Sequence, residues 1–383
     1  MTILSESAYN TLAGKDWPSY QDYLQGNIPQ NVKQELDNFA RSEPTTKSVK
    51  VIKINPSTDQ ELLYKRQVAN LPSVKTHITN HCWIPWNTIS INPNGDIFLC
   101  GCIGWLPFSV GNVVDFDSFE SIWASAEAQK IQKSITDKTY EFCDTRYCGI
   151  EVGVSPRRNN AIHVELTIDR SCNISCPSCR EHPIFIDDQN FINEKIKEVD
   201  ILSSWIDKTS RTVFISLGGG DPFASILYKQ IIERFAENTR ISFDIGTNGL
   251  LLLSHAHILN KIIDRTRLFI SIDAATKKTY ERVRRGGKWN QLLKNLEFIR
   301  SFYKSTVSAS FVIQQDNFCE MLEFVQFCKI YNLKPVFSLL QDWGTWHDFD
   351  SHCVHIPTSP NYAEFQGISE KVRALGISVP RQI

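Results

Sequence analysis

The chain of 383 residues lacks any long apolar run. Its apolar stretches, such as Leu250–Leu253, fall far short of the about 20 residues needed to cross a bilayer. It also lacks a surplus of either charge. The formal net charge is -1 at pH 7, and 41 basic residues are interspersed with 42 acidic ones, so no nucleic-acid-binding face is expected. The opening MTILSESAYN has no cationic stretch followed by an apolar one, and so does not read as a signal peptide. No internal repeat or low-complexity tract is visible. These absences predict a cytoplasmic protein with neither a membrane nor a nucleic-acid partner.

Cysteine is what the chain has in quantity, with eleven residues. In a reducing compartment such cysteines bind metal or do chemistry more often than they form disulfides. Most are grouped: Cys82, Cys100 and Cys102; Cys143 and Cys148; Cys172, Cys176 and Cys179. Cys319, Cys328 and Cys353 stand apart.

Four regions are expected. Residues 1–75 are polar and broken by Pro18, Pro29, Pro44, Pro56 and Pro72, and read as an N-terminal extension. Residues 76–155 form a small Cys-rich α+β domain, with strand-like WNTISI and DIFLC around the turn Asn92-Pro93-Asn94-Gly95 and a helix over about 119–135. From about 161 the texture changes to short apolar runs alternating with amphipathic segments. The runs are IHVELTI, TVFISL, ISFDIG, LFISID, VSASFVI and KPVFSLL. The intervening helices are expected near 192–208, 224–237, 253–264, 289–304 and 318–331. Six strands separated by five helices predict a parallel α/β sheet over 156–347. Periodicity leaves a doubly wound sheet and a partial barrel both open. Residues 348–383 are expected to cover this unit.

Chemistry in parallel α/β folds collects where strands end at their carboxyl side. The first such end runs into Asp169-Arg170-Ser171-Cys172, then Cys176 and Cys179, a C-x3-C-x2-C spacing. Three thiolates on one compact loop can each take one iron of a four-iron cluster, leaving the fourth iron open to an external ligand. A structural thiol or zinc cluster is the plainer alternative. The second strand ends in Gly218-Gly219-Gly220-Asp221-Pro222, the third in Gly246-Thr247-Asn248-Gly249, and the fourth carries Ser271-Ile272-Asp273.

Over roughly 161–345 these motifs together resemble the radical S-adenosylmethionine (AdoMet) superfamily, also called radical SAM. The resemblance implies a partial (β/α)6 TIM-like barrel. It implies a 4Fe–4S cluster on Cys172, Cys176 and Cys179 that reductively cleaves AdoMet to a 5′-deoxyadenosyl radical, which then abstracts a substrate hydrogen atom. Gly218, Gly219, Gly220 and Asp221 would serve the methionine amino group, with Thr247, Asn248, Ser271 and Asp273 at the ribose and carboxylate. Two positions depart from the family: Asp221 stands where Glu is commoner, and Ser178 where an aromatic residue usually packs on adenine. A cellular one-electron reductant such as flavodoxin or ferredoxin is the implied partner.

Cys82, Gly95 and Cys100 follow a C-x12-G-x4-C spacing. It resembles the opening half of the auxiliary-cluster domains called SPASM, or twitch in the shorter form, which normally follow the radical AdoMet core. Cys82, Cys100, Cys143 and Cys148 are the expected ligands of a second iron–sulfur cluster, with Cys102 as substitute. A zinc ribbon is the alternative, since two cysteine pairs across a hairpin also suit tetrahedral zinc.

Of the remaining cysteines, Cys328 lies inside a helical pattern and is expected to be buried. Cys353, with Cys319 as reserve, is a candidate hydrogen-atom donor, although an exposed loop thiol is its plainer reading. Relatives with auxiliary-cluster domains often modify ribosomally made peptides, so peptide maturation is the expected activity, with amino-acid epimerisation as one outcome. A carbohydrate or other small molecule is the alternative substrate. A non-catalytic metal-binding interaction protein is the alternative of another class.

Overall fold

The computed structural model describes residues 82–100, 106, 108–143, 161–303 and 307–380. The expected extension over 1–75 lies outside these residues, as do Cys102 and Cys148. Among the described residues no helix is long and apolar enough to cross a membrane.

Among the described residues, nine strands form one open sheet: β1 (Thr88–Ile91), β2 (Asp96–Phe98), β3 (Gly111–Asn112), β4 (Ile162–Leu166), β5 (Val213–Leu217), β6 (Ile241–Thr247), β7 (Thr266–Ser271), β8 (Val307–Ile313) and β9 (Leu333–Leu339). Their order is β3-β2-β1-β4-β5-β6-β7-β8-β9. β4 to β9 run parallel, one after the next, which is the expected partial barrel. All six apolar runs of the sequence are strands of this sheet. Burial alternates along them. Ile162, Val164 and Leu166 of β4, like Val213, Ile215 and Leu217 of β5, are inside, while the residues between them are half-buried. That period of two sets which face of each strand meets the helices.

The helices are α1 (Phe119–Trp123), α2 (Ala126–Thr136), α3 (Gln189–Lys208), α4 (Ile226–Phe235), α5 (Ala256–Ile262), α6 (Lys277–Val283), α7 (Trp289–Phe302), α8 (Met321–Ile330) and α9 (Tyr362–Ala374). α3 starts at Asp188, whose carboxylate accepts from the Asn190 and Phe191 amides at 2.8 and 3.3 Å. It buries Ile192, Val199, Leu202, Trp205 and Ile206 on one stripe, at the three-to-four spacing of an amphipathic helix. Each large apolar side chain buried there contributes roughly 1.5–3 kcal/mol.

The helix expected over 119–135 is two helices. Ser125 interrupts it and caps α2, accepting from the Ala128 amide at 3.3 Å. α6 was not legible, because seven residues with three cations and a single buried stripe carry little periodic signal. α9, in the segment expected to cover the barrel, packs on α8.

The Cys-rich segment does not stand apart from the barrel. Its hairpin β1–β2 is antiparallel as the turn predicts, and β1 then pairs in parallel with β4. Thr167 clamps this junction, donating its amide and hydroxyl to the Ile91 carbonyl at 3.0 and 3.1 Å. Phe119 of α1 meets Trp205 of α3 edge-on at 5.7 Å. One core therefore contains Cys82, Cys172 and Cys176, with Cys100, Cys143 and Cys179 packed against it.

Candidate active site

β4 ends at Leu166 and the chain turns into the loop that bears Cys172, Cys176 and Cys179. Asp169, buried at the mouth of this loop, accepts from the Ser171 amide at 2.6 Å and from Ser225 Oγ at 2.6 Å. Ser225 is also the cap of α4, accepting from the Tyr228 amide at 2.9 Å. The Tyr228 hydroxyl reaches the Leu166 and Gly218 carbonyls at 3.0 and 2.7 Å. A buried network thus fixes the start of the cysteine loop to the end of β5.

The Gly-rich motif presses on this loop. Gly219 has φ +87°, and a Cβ there would stand 2.9 Å from the Asp169 carbonyl oxygen. A Cβ on Gly220 would collide with the Ser171 carbonyl oxygen. Close backbone approach therefore requires glycine at both positions. The Asp221 amide then donates to the Ser171 carbonyl at 2.7 Å. Beyond it, the loop closes on itself through an antiparallel bridge between Cys172 and Ile184.

Asp221 is fully buried, and burial pushes its carboxyl above the usual carboxylate range. One oxygen accepts from the Phe223 amide at 3.0 Å. The other accepts from Thr247 Oγ1 at 2.8 Å and the Asn248 amide at 2.7 Å. Asp221 is a strut between the Gly-rich loop and the Thr247–Asn248 turn. Asp221→Ala is expected to cost about 3 kcal/mol or more, since it strands three buried donors. Chemical denaturation measures this, and a loss within 0.5 kcal/mol would refute the strut. Asn248 reaches back to the cysteine loop, with Nδ2 2.8 Å from Asn173 Oδ1 and 3.9 Å from Cys172 Sγ.

Asp273 takes φ +59° at the end of β7, a left-handed conformation uncommon outside glycine. Val312 donates its amide to Oδ1 at 2.8 Å, Asn317 donates to its carbonyl at 2.9 Å, and Arg284 pairs with Oδ2 at 2.7 Å. Ser271 Oγ accepts from Ser310 at 3.2 Å. The sequence-predicted set Gly218–Asp221, Thr247, Asn248, Ser271 and Asp273 is thus at one end of the sheet with the three thiols. Within it, Asp221 and Asp273 have their oxygens engaged by protein donors.

The thiols of Cys172 and Cys176 are buried, and burial raises both, Cys172 to about 12. Without metal they are neutral, and ligation releases their protons. Three arginines went unnoticed in the sequence. Arg180 donates to the Arg170 and Gly219 carbonyls at 2.6 and 2.9 Å and lies 3.3 Å from Cys179 Sγ. Arg284 lies 3.5 Å from Cys176 Sγ. Arg285 ties the loop at Ser175, Arg180 and Glu181. The readable signal was Arg180 directly beside Cys179, the last cysteine of the C-x3-C-x2-C spacing.

The residues fit an anionic cluster with an added ligand. Arg284 Nε and the Tyr280 hydroxyl are buried with no hydrogen-bond partner among the described residues, and both stand beside Cys176. Buried donors in that condition are open to a ligand. Among the described residues no three His, Cys, Asp or Glu side chains converge to hold a single metal ion. A four-iron cluster asks for something else, one thiolate on each of three irons.

Cys82 is buried just before a 3-10 turn (Ile84–Trp86), while Cys100, beyond β2, and Cys143, beyond α2, are half-buried. Cys353 is buried, where its plainer reading was an exposed loop thiol, and Cys319 is exposed. The reason is the fold of the segment after β9. The Gln315 amide at the end of β8 donates to the His352 carbonyl at 2.9 Å, and His352 stacks on Trp346 at 4.1 Å, which folds Cys353 inward. Burial raises the Cys353 thiol to about 12. Cys328 is buried in α8, as expected.

Comparison with known proteins matches residues 166–328 to the radical SAM superfamily and residues 82–149 to SPASM, an iron–sulfur cluster-binding domain. The SPASM match precedes the radical SAM match, as the cysteine spacing suggested. The cofactors are accordingly a 4Fe–4S cluster, AdoMet and auxiliary iron–sulfur. GTP 3′,8-cyclase of Lactiplantibacillus plantarum is 26% identical over 193 residues, covering 47% of this chain and 57% of that protein. Mycofactocin maturase MftC of Mycobacterium tuberculosis is 21% identical over 180 residues, covering 46% of this chain and 44% of that protein. The matched stretch spans about half the length of these curated relatives. Among solved structures, Streptococcus suis SuiB aligns with a TM-score of 0.41 at 14% identity, covering 69% of this chain and 55% of that one. At that TM-score the likeness carries nothing about substrate.

Proposed function

We propose that this radical SAM enzyme, whose SPASM domain lies ahead of its catalytic domain, matures a ribosomally made peptide, with its AdoMet-cleaving cluster on Cys172, Cys176 and Cys179. The observation that carries the site is the seating of those thiols: Gly219 and Gly220 pack on the loop backbone, and two guanidinium groups face its sulfurs. When bound, the cluster and AdoMet supply a 5′-deoxyadenosyl radical that takes a hydrogen atom from the substrate. The chain's own part is binding and orientation. The Gly218–Gly220 backbone and the Ser271 hydroxyl are the groups offered to AdoMet. Asp221, Thr247 and Asn248 fix the turn that faces the cysteine loop, and Asp273 holds Arg284.

The SPASM domain and the partial likeness to a mycofactocin maturase support a peptide substrate. The test is anaerobic incubation with AdoMet, dithionite and short peptides encoded beside the gene. Peptide-dependent 5′-deoxyadenosine with an altered peptide is the expected result. A small polar substrate is the second reading, favoured by the sheet face turned away from the helical core. There Glu165, Ser216, Asp244 and Arg267 lie in register across β4 to β7, and burial with the nearby Asp244 raises Glu165 to about 7. Turnover with such molecules and none with peptides would select it.

Cys82, Cys100, Cys143 and Cys148 are proposed for the auxiliary cluster, with Cys102 as substitute. A Cys172/Cys176/Cys179→Ala triple variant is expected to keep iron and sulfide near one four-iron cluster's worth. Zinc without sulfide in that variant would defeat the assignment. Cys353 is proposed as hydrogen-atom donor in an epimerisation. Its burial supports this role over exposed Cys319, because a sulfur radical formed there is shielded from solvent.

A further inference from the structure

Arg284 follows α6 and is buried at the junction of β7, β8 and the cysteine loop. One nitrogen, Nη2, pairs with Asp273 Oδ2 at 2.7 Å, while Nη1 lies 3.5 Å from Cys176 Sγ. Its Nε has no acceptor among the described residues. Arg180 repeats the arrangement at the neighbouring thiol, with Nε and Nη2 at 3.4 and 3.3 Å from Cys179 Sγ. Among the described residues Arg180, however, is anchored on carbonyl oxygens, those of Arg170 and Gly219, and on no carboxylate. Of the two guanidinium groups facing sulfur, Arg284 is the one with a carboxylate of its own.

A guanidinium does not lose its proton in a protein, so each arginine places a fixed positive charge beside a thiolate donor. Charge and hydrogen bonds at the sulfurs are among the levers that set a cluster's reduction potential. Positive charge favours the reduced state, which carries one more electron, and in a water-poor site the effect is poorly screened. Asp273 works the other way. Its carboxylate cancels part of the Arg284 charge and also fixes the guanidinium where it meets Cys176.

We propose that the Asp273–Arg284 pair sets the reduction potential of the AdoMet-cleaving cluster through Cys176, Arg284 raising the potential and Asp273 limiting that rise. This rests on Cys172, Cys176 and Cys179 being the cluster ligands. Both residues act through another group and are positioning residues. The pair accounts for an aspartate held in a left-handed conformation at the end of β7: that backbone aims one carboxylate at the Val312 amide and at Arg284 together.

The experiment is a redox titration followed by electron paramagnetic resonance on the reconstituted full chain, without AdoMet, alongside iron and sulfide content. Arg284→Gln is expected to shift the midpoint to more negative potential. Asp273→Asn, which keeps an oxygen for Val312, is expected to shift it to more positive potential, and Arg284→Lys to fall between Arg284→Gln and the native chain. Opposite shifts at native iron content establish the pair. Shifts of one sign in Arg284→Gln and Asp273→Asn, or none, overturn it. Loss of iron in Arg284→Gln also overturns it, by assigning Arg284 to holding the loop. Cys176→Ala is the separate control: native iron in that variant would remove the ligand assignment itself, whatever the arginine variants do.

Discussion

Cys176→Ala is expected to abolish conversion of AdoMet to 5′-deoxyadenosine, with no product above the level of a reaction without enzyme. Two thiolates would remain on the loop, and a cluster on two ligands does not keep one open iron in a defined place. The fold should survive. The substitution removes one sulfur from a buried but small side chain, a change of about 1 kcal/mol. The backbone bonds that shape the loop there, from the Cys179 and Arg180 amides to the Cys176 carbonyl, are kept. Iron content, melting temperature and product formation together separate ligand loss from unfolding. Unchanged turnover would end the assignment of this loop as the cluster site.

Most strands of the barrel were legible because buried residues alternate with more exposed ones, and the longer helices, such as α3, because their apolar stripes span several turns. The thiol loop was legible as a spacing at a strand's carboxyl end. What surrounds it was not. Arg284 and Arg285 lie about a hundred residues beyond Cys176, and only the packing of α6 and the turn after it brings them to the loop. The glycines were readable as glycines, but not their reason. Gly219 and Gly220 yield space to the Asp169 and Ser171 carbonyls, a contact between two loops that neither sequence segment reveals alone. Asp221 and Asp273 were read as AdoMet contacts because their motifs resemble those of the radical AdoMet family. Both carboxylates accept hydrogen bonds from the protein, an arrangement that depends on which donors fold against them. The joining of the Cys-rich hairpin to β4 was likewise hidden, since parallel pairing of β1 with β4 leaves no mark in either strand's pattern.

The burial of Cys353 gives the epimerisation reading its sharpest consequence. After hydrogen abstraction, a substrate carbon radical can pass an electron to the auxiliary cluster and a proton to water, giving a product lighter by two hydrogens. Alternatively it takes a hydrogen atom from a thiol on its other face, giving an isomer of unchanged mass. In the second case the S–H bond breaks as the C–H bond forms, and the sulfur radical regains an electron from the one-electron reductant and a proton from water. The donor must be S–H rather than thiolate. Burial raises Cys353 to about 12, so the thiol is the form present at neutral pH. The loop that carries it is fastened at the carboxyl end of β8, where the Gln315 amide meets the His352 carbonyl. That is the end of the sheet where chemistry in this architecture collects. In deuterated water the thiol exchanges to S–D, and the epimerised product is expected to be one mass unit heavier. Cys353→Ala is expected to go on making 5′-deoxyadenosine while the labelled product disappears. Mass spectrometry of the product, with chiral analysis of its hydrolysate, reads both. A product two units lighter in ordinary water, formed equally by Cys353→Ala, would reject the donor and assign the enzyme to oxidative chemistry.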